Sequence, residues 1–379
     1  KLHRIIDRRD VYIYLIYSRP EMKWVFPCFV LALAAFVRCL TTSSDASGSS
    51  PILGIGLDYG LTESSIPNLQ GLVMVITGAS SGLGKGTATV LARHGAKVII
   101  TARSDEKCKM ATSEIVADAQ NGMDPGRPAT ILECFVVELS SLSSVSKFTK
   151  DVIPVLKQLG GLHSLILNAG VMSPPFQVTD EGLEWQFGVN YLSHFMIARD
   201  LTDLLLASSP STVVSVSSIA HLLPHYAGNI EVLTNISAIN DQDKYEPRLW
   251  YGYSKLANIY FASEFNRRYK RESLYANAVH PGAVKGHLMR HELNRLPYLL
   301  KTALNLIVDY LFWDEEVASL TSIFASIQPI ILAKKSEAIN GKYFIPIARP
   351  YPLKDFATNE TVSAGLWQLA DTLLKERGH

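Results

Sequence analysis

Tyr251 and Lys255 stand four residues apart in the stretch YGYSKLAN, Tyr251–Asn258. A helix advances about 100° per residue, so these two share a face, while Tyr253 lies about 200° round from Tyr251. A phenol titrates near pH ~10. A neighbouring ammonium favours the phenolate and pulls that value down, which would let Tyr251 exchange a proton near neutral pH. The same spacing also describes an ordinary surface Tyr–Lys pair, so the rest of the chain must discriminate between the two.

A second group of residues suits phosphate. LVMVI, from Leu72, is a continuous apolar, β-branched run, as expected of a strand buried on both faces. It leads into TGASSGLG, Thr77–Gly84, then the helical stretch KGTATVLARHG ending at Gly95, then the strand KVIITAR. In such a unit Gly78 and Gly82 permit a tight turn and close approach to a pyrophosphate. Gly84 lets the helix pack closely, and the free N–H groups of the helix start face the phosphate oxygens. The spacing is GxxxGxG, not GxGxxG. A Gly-rich turn alone is a weak signal, but between strand and helix it predicts dinucleotide binding. Binders of NAD place an acid at the end of the second strand, whereas an Arg accommodates the 2′-phosphate of NADP. Here Ala102-Arg103 stands there and the nearest acid is Asp105. A guanidinium pairs well with a phosphate, so NADP(H) is expected ahead of NAD(H).

Positioning these groups requires βα alternation, and the pattern continues. ATILECFVVEL, GLHSLILNAG, STVVSVSS and YANAVHPG read as further strands, and 341–346 as a seventh. Helices are expected at 140–160, with Ser140 or Ser141 as cap, at Thr179–Ala207, and from Tyr251 onward. The predicted fold class is α/β, a single doubly wound parallel sheet of Rossmann type with helices on both faces. Ligands in such sheets bind beyond the carboxyl ends of the strands, where Gly170, Ser218 and Gly282 fall.

The composition narrows the classes. The chain has 379 residues, 47% hydrophobic and 19% charged, which suits a substantial core. A net charge of +1 gives no basic surface for nucleic acid. Cys28, Cys39, Cys108 and Cys134 form no CxxC pair, and no Cys/His cluster has zinc spacing, so no metal site is expected. The sequons Asn235-Ile-Ser and Asn359-Glu-Thr matter if the domain enters a secretory lumen. Residues 1–60 read as an N-terminal targeting or anchor segment with a flexible linker, and 61–379 as the dinucleotide-binding domain. The first methionine is Met22, and translation starting there would make residues 1–21 an extension. Trp24–Val37 is uncharged and mostly apolar, the length of a signal-peptide core and short for a membrane span. A cleaved signal, a retained anchor in the endoplasmic reticulum or another endomembrane or organelle, and a buried helix all remain open, with membrane association through residues 22–40 in the anchor case.

From about residue 68 to the C-terminus, roughly four-fifths of its length, the chain resembles the short-chain dehydrogenase/reductase family. The motifs that carry the resemblance are TGASSGLG, NAG at 168–170, Asn190 within VNYLSHF, the serine pair in VSVSSIA, YGYSK at 251–255 and PG at 281–282. NYLSHF, SKLAN and the ending NGKYF…LW are similar to the retinol dehydrogenase-like branch. The resemblance implies that Tyr251 is the general acid/base and that Lys255 lowers its pKa and holds the nicotinamide ribose. It implies that Ser218, the second of the serine pair, binds the substrate oxygen, and that Asn190 holds a water in a proton relay. It lays the cofactor along Thr77, Gly78, Ser80, Ser81, Gly82, Leu83, Gly84, Arg103, Glu138, Leu139, Asn168, Ala169, Gly170, Tyr251, Lys255, Pro281, Gly282 and Val284. His280 and His287 lie near and receive no role.

Two departures stand out. Glu138-Leu139 replaces the family's Asp-Leu, a longer acid with the same contact to make. Gly286 stands where the family carries a hydroxyl residue for the nicotinamide carboxamide. Val284–Trp313 is rich in Leu and aromatic residues, which suits either a cover over a hydrophobic substrate (retinoid, steroid or other lipid) or a helix packed on the core. The leading expectation is an NADP(H)-dependent oxidoreductase interconverting an alcohol and a carbonyl on such a substrate, with a homodimer left open. A pigment-precursor reductase of the same fold and a catalytically weak nucleotide-binding scaffold are the alternatives.

Overall fold

The computed structural model describes residues 61–121, 132–284, 288, 313–332 and 338–379. Residues 1–60, the Gly286 position, His287 and nearly all of Val284–Trp313 lie outside the described residues, and so do the expectations that fall on them. No helix among the described residues is long and apolar enough to cross a membrane.

Strands β1 (Val73–Ile76), β2 (Lys97–Ala102), β3 (Leu132–Val136), β4 (Ser164–Leu167), β5 (Ser211–Val216), β6 (Leu274–Val279), β7 (Tyr343–Ile345) and β8 (Arg349–Pro350) form one sheet. Their order is β3-β2-β1-β4-β5-β6-β7-β8. Every pairing is parallel except β7 with β8. The chain runs outward from β1 to β3, then returns to lay β4 against the other side of β1. That reversal opens the crevice outside the carboxyl ends of β1 and β4 where ligands of such sheets sit. The continuous apolar runs are explained by cover on both faces. Val73 and Val75 point into one core and Met74 and Ile76 into the other, all fully buried.

The long helices are α1 (Gly82–Arg93), α2 (Asp105–Asn121), α3 (Leu142–Leu159), α4 (Ser193–Ala207), α5 (Pro247–Tyr269), α6 (Glu315–Leu332) and α7 (Glu360–Glu376). One core lies under α3, α4, α5 and α7, around Phe148, Phe195, Phe265 and Leu366; the other lies under α1, α2 and α6, around Leu91, Ile115 and Ile323. The main chain of α6 approaches α1 so closely that a Cβ on Gly86 would lie 2.6 Å from the carbonyl of Glu315. Arg93 of α1 ties the pair to Glu316 and Glu63 at 3.0 and 2.7 Å.

Three local features depart from the sequence expectation. The helix expected from Thr179 begins only at Trp185, because Val178 and Glu184 bridge as antiparallel strands and Gly182 takes a positive φ of 74°. The buried Glu184 carboxylate then caps the start, accepting from the Gln186 and Phe187 N–H groups at 2.9 and 2.8 Å. Ser141 stands at the start of α3 but its side chain makes no cap hydrogen bond. Cys108 of α2 and Cys134 of β3 are joined in a disulfide with their Cα atoms 5.5 Å apart, a pairing that their separation of 26 residues does not announce.

Candidate active site

Thr77 directly follows β1 in full burial, and its hydroxyl is the hub of the turn there. It accepts the N–H groups of Asn168 and Ala169 at 2.9 and 3.0 Å. The Asn168 side chain returns the bond, donating to the Thr77 and Gly78 carbonyls at 2.8 and 3.2 Å. The ends of β1 and β4 are thereby locked together at the switch point. Gly78 has φ +65°, and a Cβ there would lie 2.7 Å from the Ala169 Cβ. Ser81 precedes α1 without a side-chain cap, so the leading N–H groups of the helix are left for a ligand rather than for the protein's own oxygen. Ser80 and Leu83 are half-buried at this rim and Ser81 is exposed. A glycine cradle and an uncapped helix start fit a pyrophosphate.

Gly84 is the sterically tightest member. A Cβ there would meet Asn168 Nδ2 at 2.5 Å, the Gly78 carbonyl at 2.6 Å and Ala79 Cα at 2.9 Å. Gly84→Ala is expected to destabilise the fold by about 1–3 kcal/mol and to open the turn. Gly82→Ala meets no atom within 4 Å and bears only the strain of φ +60°, about 1 kcal/mol. Thermal melts together with NADPH fluorescence titration check the contrast. Equal effects of the two substitutions would refute the packing role of Gly84.

At the outer end of the crevice Arg103 comes directly after β2 and is exposed, with Thr101 behind it accepting the Gly78 N–H at 3.1 Å. Glu138 is half-buried after β3. Its Oε1 takes both the N–H and the hydroxyl of Ser140, at 3.0 and 2.9 Å, so this oxygen holds the turn before α3. Leu139 is buried.

The proton-handling residues converge from three elements. In α5, Tyr251 and Lys255 are both nearly fully buried, and the Lys255 Nζ lies 5.6 Å from the centroid of the Tyr251 ring. Tyr253, on the other side of the helix, instead donates to the Asn229 carbonyl at 2.6 Å. Lys255 Nζ donates to the Val216 carbonyl at 3.0 Å, and burial pushes its pKa down to about 8. The two serines after β5 have different partners. Ser217 is buried and donates to the Lys255 carbonyl at 2.7 Å, fastening α5 to the sheet. Ser218 is half-buried and accepts the Ala220 N–H at 3.2 Å. A Cβ on Gly252 would lie 2.7 Å from the Ala220 carbonyl, so glycine lets the helix carrying Tyr251 press directly on the segment that begins at Ser218.

Asn190 lies in a π-helical segment, Gly188–Leu192, ahead of α4. Such a bulge frees main-chain groups from the regular ladder. Its side chain is fully engaged. Oδ1 accepts the Val171 N–H at 2.8 Å, and Nδ2 donates to the Val171 carbonyl and to Ser254 Oγ, each at 2.9 Å. Any relay through Asn190 therefore falls to its main-chain carbonyl. A Cβ on Gly170 would lie 3.2 Å from Asn190 Oδ1 and 3.4 Å from Lys255 Nζ, so both residues border the floor made by Gly170.

Two histidines were not singled out from the sequence. His194 is buried one turn after Asn190, with Nδ1 3.2 Å from the Asn190 carbonyl and Nε2 2.9 Å from the Thr77 hydroxyl. Burial, with Lys255 nearby, holds its pKa down at about 3. The neutral ring donates at Nδ1 and accepts the Thr77 O–H at Nε2, which is the one polarity that leaves Thr77 lone pairs for two N–H donors. The only signal in the sequence was its i+4 spacing from Asn190. His221 is likewise buried and lies 2.8 Å from the Ser218 carbonyl through Nδ1, its pKa lowered to about 4 by burial. His280, buried and lowered to about 3, packs beneath the Pro281-Gly282 turn. Gly282 has φ +85°, and Val284 bridges to Trp313.

Proteins of similar sequence and fold identify the family. The short chain dehydrogenase family matches residues 72–231. Retinol dehydrogenase 14 of Homo sapiens is 35% identical over 312 residues, covering 81% of this chain and 87% of that protein. Retinol dehydrogenase 12 of Mus musculus is 36% identical over 306 residues, covering 81% and 87%. An uncharacterized protein from Mycobacterium paratuberculosis, solved by crystallography, is 29% identical and superposes with a TM-score of 0.59 over 83% of this chain and 97% of its own. The chain belongs to the short-chain dehydrogenase/reductase family, in its retinol dehydrogenase-like branch, and is an oxidoreductase acting on CH–OH donors.

Proposed function

We propose that the protein interconverts an alcohol and a carbonyl on a hydrophobic, retinoid-like substrate with NADP(H), using Tyr251 as general acid/base. The observation that carries this reading is the buried Lys255 ammonium 5.6 Å from the Tyr251 ring, beside the Ser218 segment. The dinucleotide, when bound, supplies or receives the hydride. Ser218 and Tyr251 are the hydrogen-bond donors for the substrate oxygen. During reduction that oxygen gains negative charge, and Tyr251 delivers the proton as the charge develops. Lys255 keeps positive charge beside the resulting phenolate and is positioned for the ribose hydroxyls. Oxidation runs these transfers in reverse. The similar proteins are retinol dehydrogenases, which favours a retinoid alcohol over other lipids.

The preference for NADP(H) rests on Arg103, exposed at the end of β2 where no acid competes. A hydrogen bond between charged groups is worth about 1.5–3 kcal/mol. Arg103→Ala is therefore expected to raise the KM for NADP(H) by roughly 10–100-fold and to leave NAD(H) nearly unchanged. Steady-state kinetics with both cofactors on a panel of retinoids, steroids and simple aldehydes provides the test. A wild-type enzyme that prefers NADH would end the NADP(H) proposal.

A further inference from the structure

We propose that this domain matures in an oxidising, glycosylating lumen, where Cys108 and Cys134 are joined and Asn235 and Asn359 accept N-linked glycans. The Cys108–Cys134 disulfide is the first support. It fastens the first turn of α2 to β3. Bonds of this kind persist in oxidising compartments and are reduced in the cytosol. The chain has two sequons, and they supply independent support, because both asparagines are exposed. Their hydroxyl partners Ser237 and Thr361 are exposed as well.

The local geometry suits a glycan at each site. Asn235 caps the short helix Ile236–Ile239, its Oδ1 accepting the N–H groups of Ser237 and Ala238 at 3.0 and 3.3 Å. Asn359 caps α7, its Oδ1 accepting the Val362 N–H at 3.2 Å. A cap of this type uses only the oxygen and so fixes which way the carboxamide faces. Both asparagines are exposed, and neither Nδ2 is hydrogen-bonded to the described residues. A glycan on Nδ2 leaves each cap intact.

Both modifications balance chemically. In the first, the two thiols lose two protons and two electrons to a partner disulfide, which leaves as a dithiol. In the second, Nδ2 loses a proton and bonds the anomeric carbon of a polyprenyl-pyrophosphate-linked oligosaccharide, with the lipid pyrophosphate as leaving group.

The test expresses the full chain in a eukaryotic host and reads its gel mobility before and after enzymatic removal of N-glycans. Ser237→Ala and Thr361→Ala destroy the sequons without removing either capping oxygen, so loss of a glycan cannot be confused with loss of the fold. Wild type is expected to shift by two steps, each single variant by one and the double variant by none. Cys108 and Cys134 are expected to resist alkylation until reductant is added. A glycan at neither site, or alkylation of both cysteines without reductant, overturns the proposal. A glycan at one site alone upholds the compartment and overturns the acceptor role of the other.

Discussion

Tyr251→Phe is expected to lower kcat by roughly 10²–10⁴-fold in both directions, the range that one positioned general acid/base supplies. The substitution deletes one oxygen from a side chain that is 6% exposed and keeps the ring packed in place. Folding stability should therefore fall by no more than about 1 kcal/mol. Cofactor affinity should hold, since the glycine turn at Gly78–Gly84 and the locked Thr77–Asn168 junction are separate elements. Steady-state kinetics combined with NADPH titration separates these quantities. A variant that keeps kcat within tenfold of wild type would show that the proton travels by another residue. A variant that loses NADPH binding as well would show instead that Tyr251 acts mainly as part of the cofactor site.

The inner strands were legible because they are buried on both faces, so runs such as VMVI and VIITA carry no charged residue. The glycine turn was legible because sterics leave no other residue type at Gly78 and Gly84. The features that escaped reading depend on contacts between segments distant in sequence. Gln186, at the first turn of the helix that begins at Trp185, donates to the Tyr245 hydroxyl and the Pro247 carbonyl, which no local pattern reveals. The π-helical turn at Asn190 is stabilised by Val171 and Ser254. The disulfide requires α2 and β3 to be adjacent, which only the strand order supplies. Within the site, residue types were readable but the direction of their bonds was not. The Asn190 side chain braces Val171, which leaves the expected relay to its main-chain carbonyl. His194, which sets the polarity of the Thr77 hydroxyl, looked like any helix residue.

Lys255→Met is expected to separate stability from activity. Burial holds the Lys255 pKa at about 8, below the ordinary 10.5. Between those values the unfolded chain holds the proton and the folded protein does not, so stability rises with pH across that window. Below about pH 8 both states are protonated and the folded state carries the full cost of the buried ammonium, on the order of 3 kcal/mol. Methionine removes that cost at nearly the same volume. The acceptor that Lys255 abandons is not orphaned, because the Val216 carbonyl also receives Asn258 Nδ2 at 3.0 Å. The cofactor-free variant should therefore be more stable than wild type at pH 7, by about 1–3 kcal/mol. The difference should shrink from pH 8 upward and vanish near 10.5. Activity should move oppositely, with kcat down at least about 100-fold, because the phenolate of Tyr251 loses the ammonium beside it. Denaturant titrations at a series of pH values, alongside steady-state rates, measure both. A variant less stable than wild type at every pH would mean that Lys255 is held for the fold, whereas the opposed shifts would mark a charge kept in the core at a cost to stability because the reaction requires it.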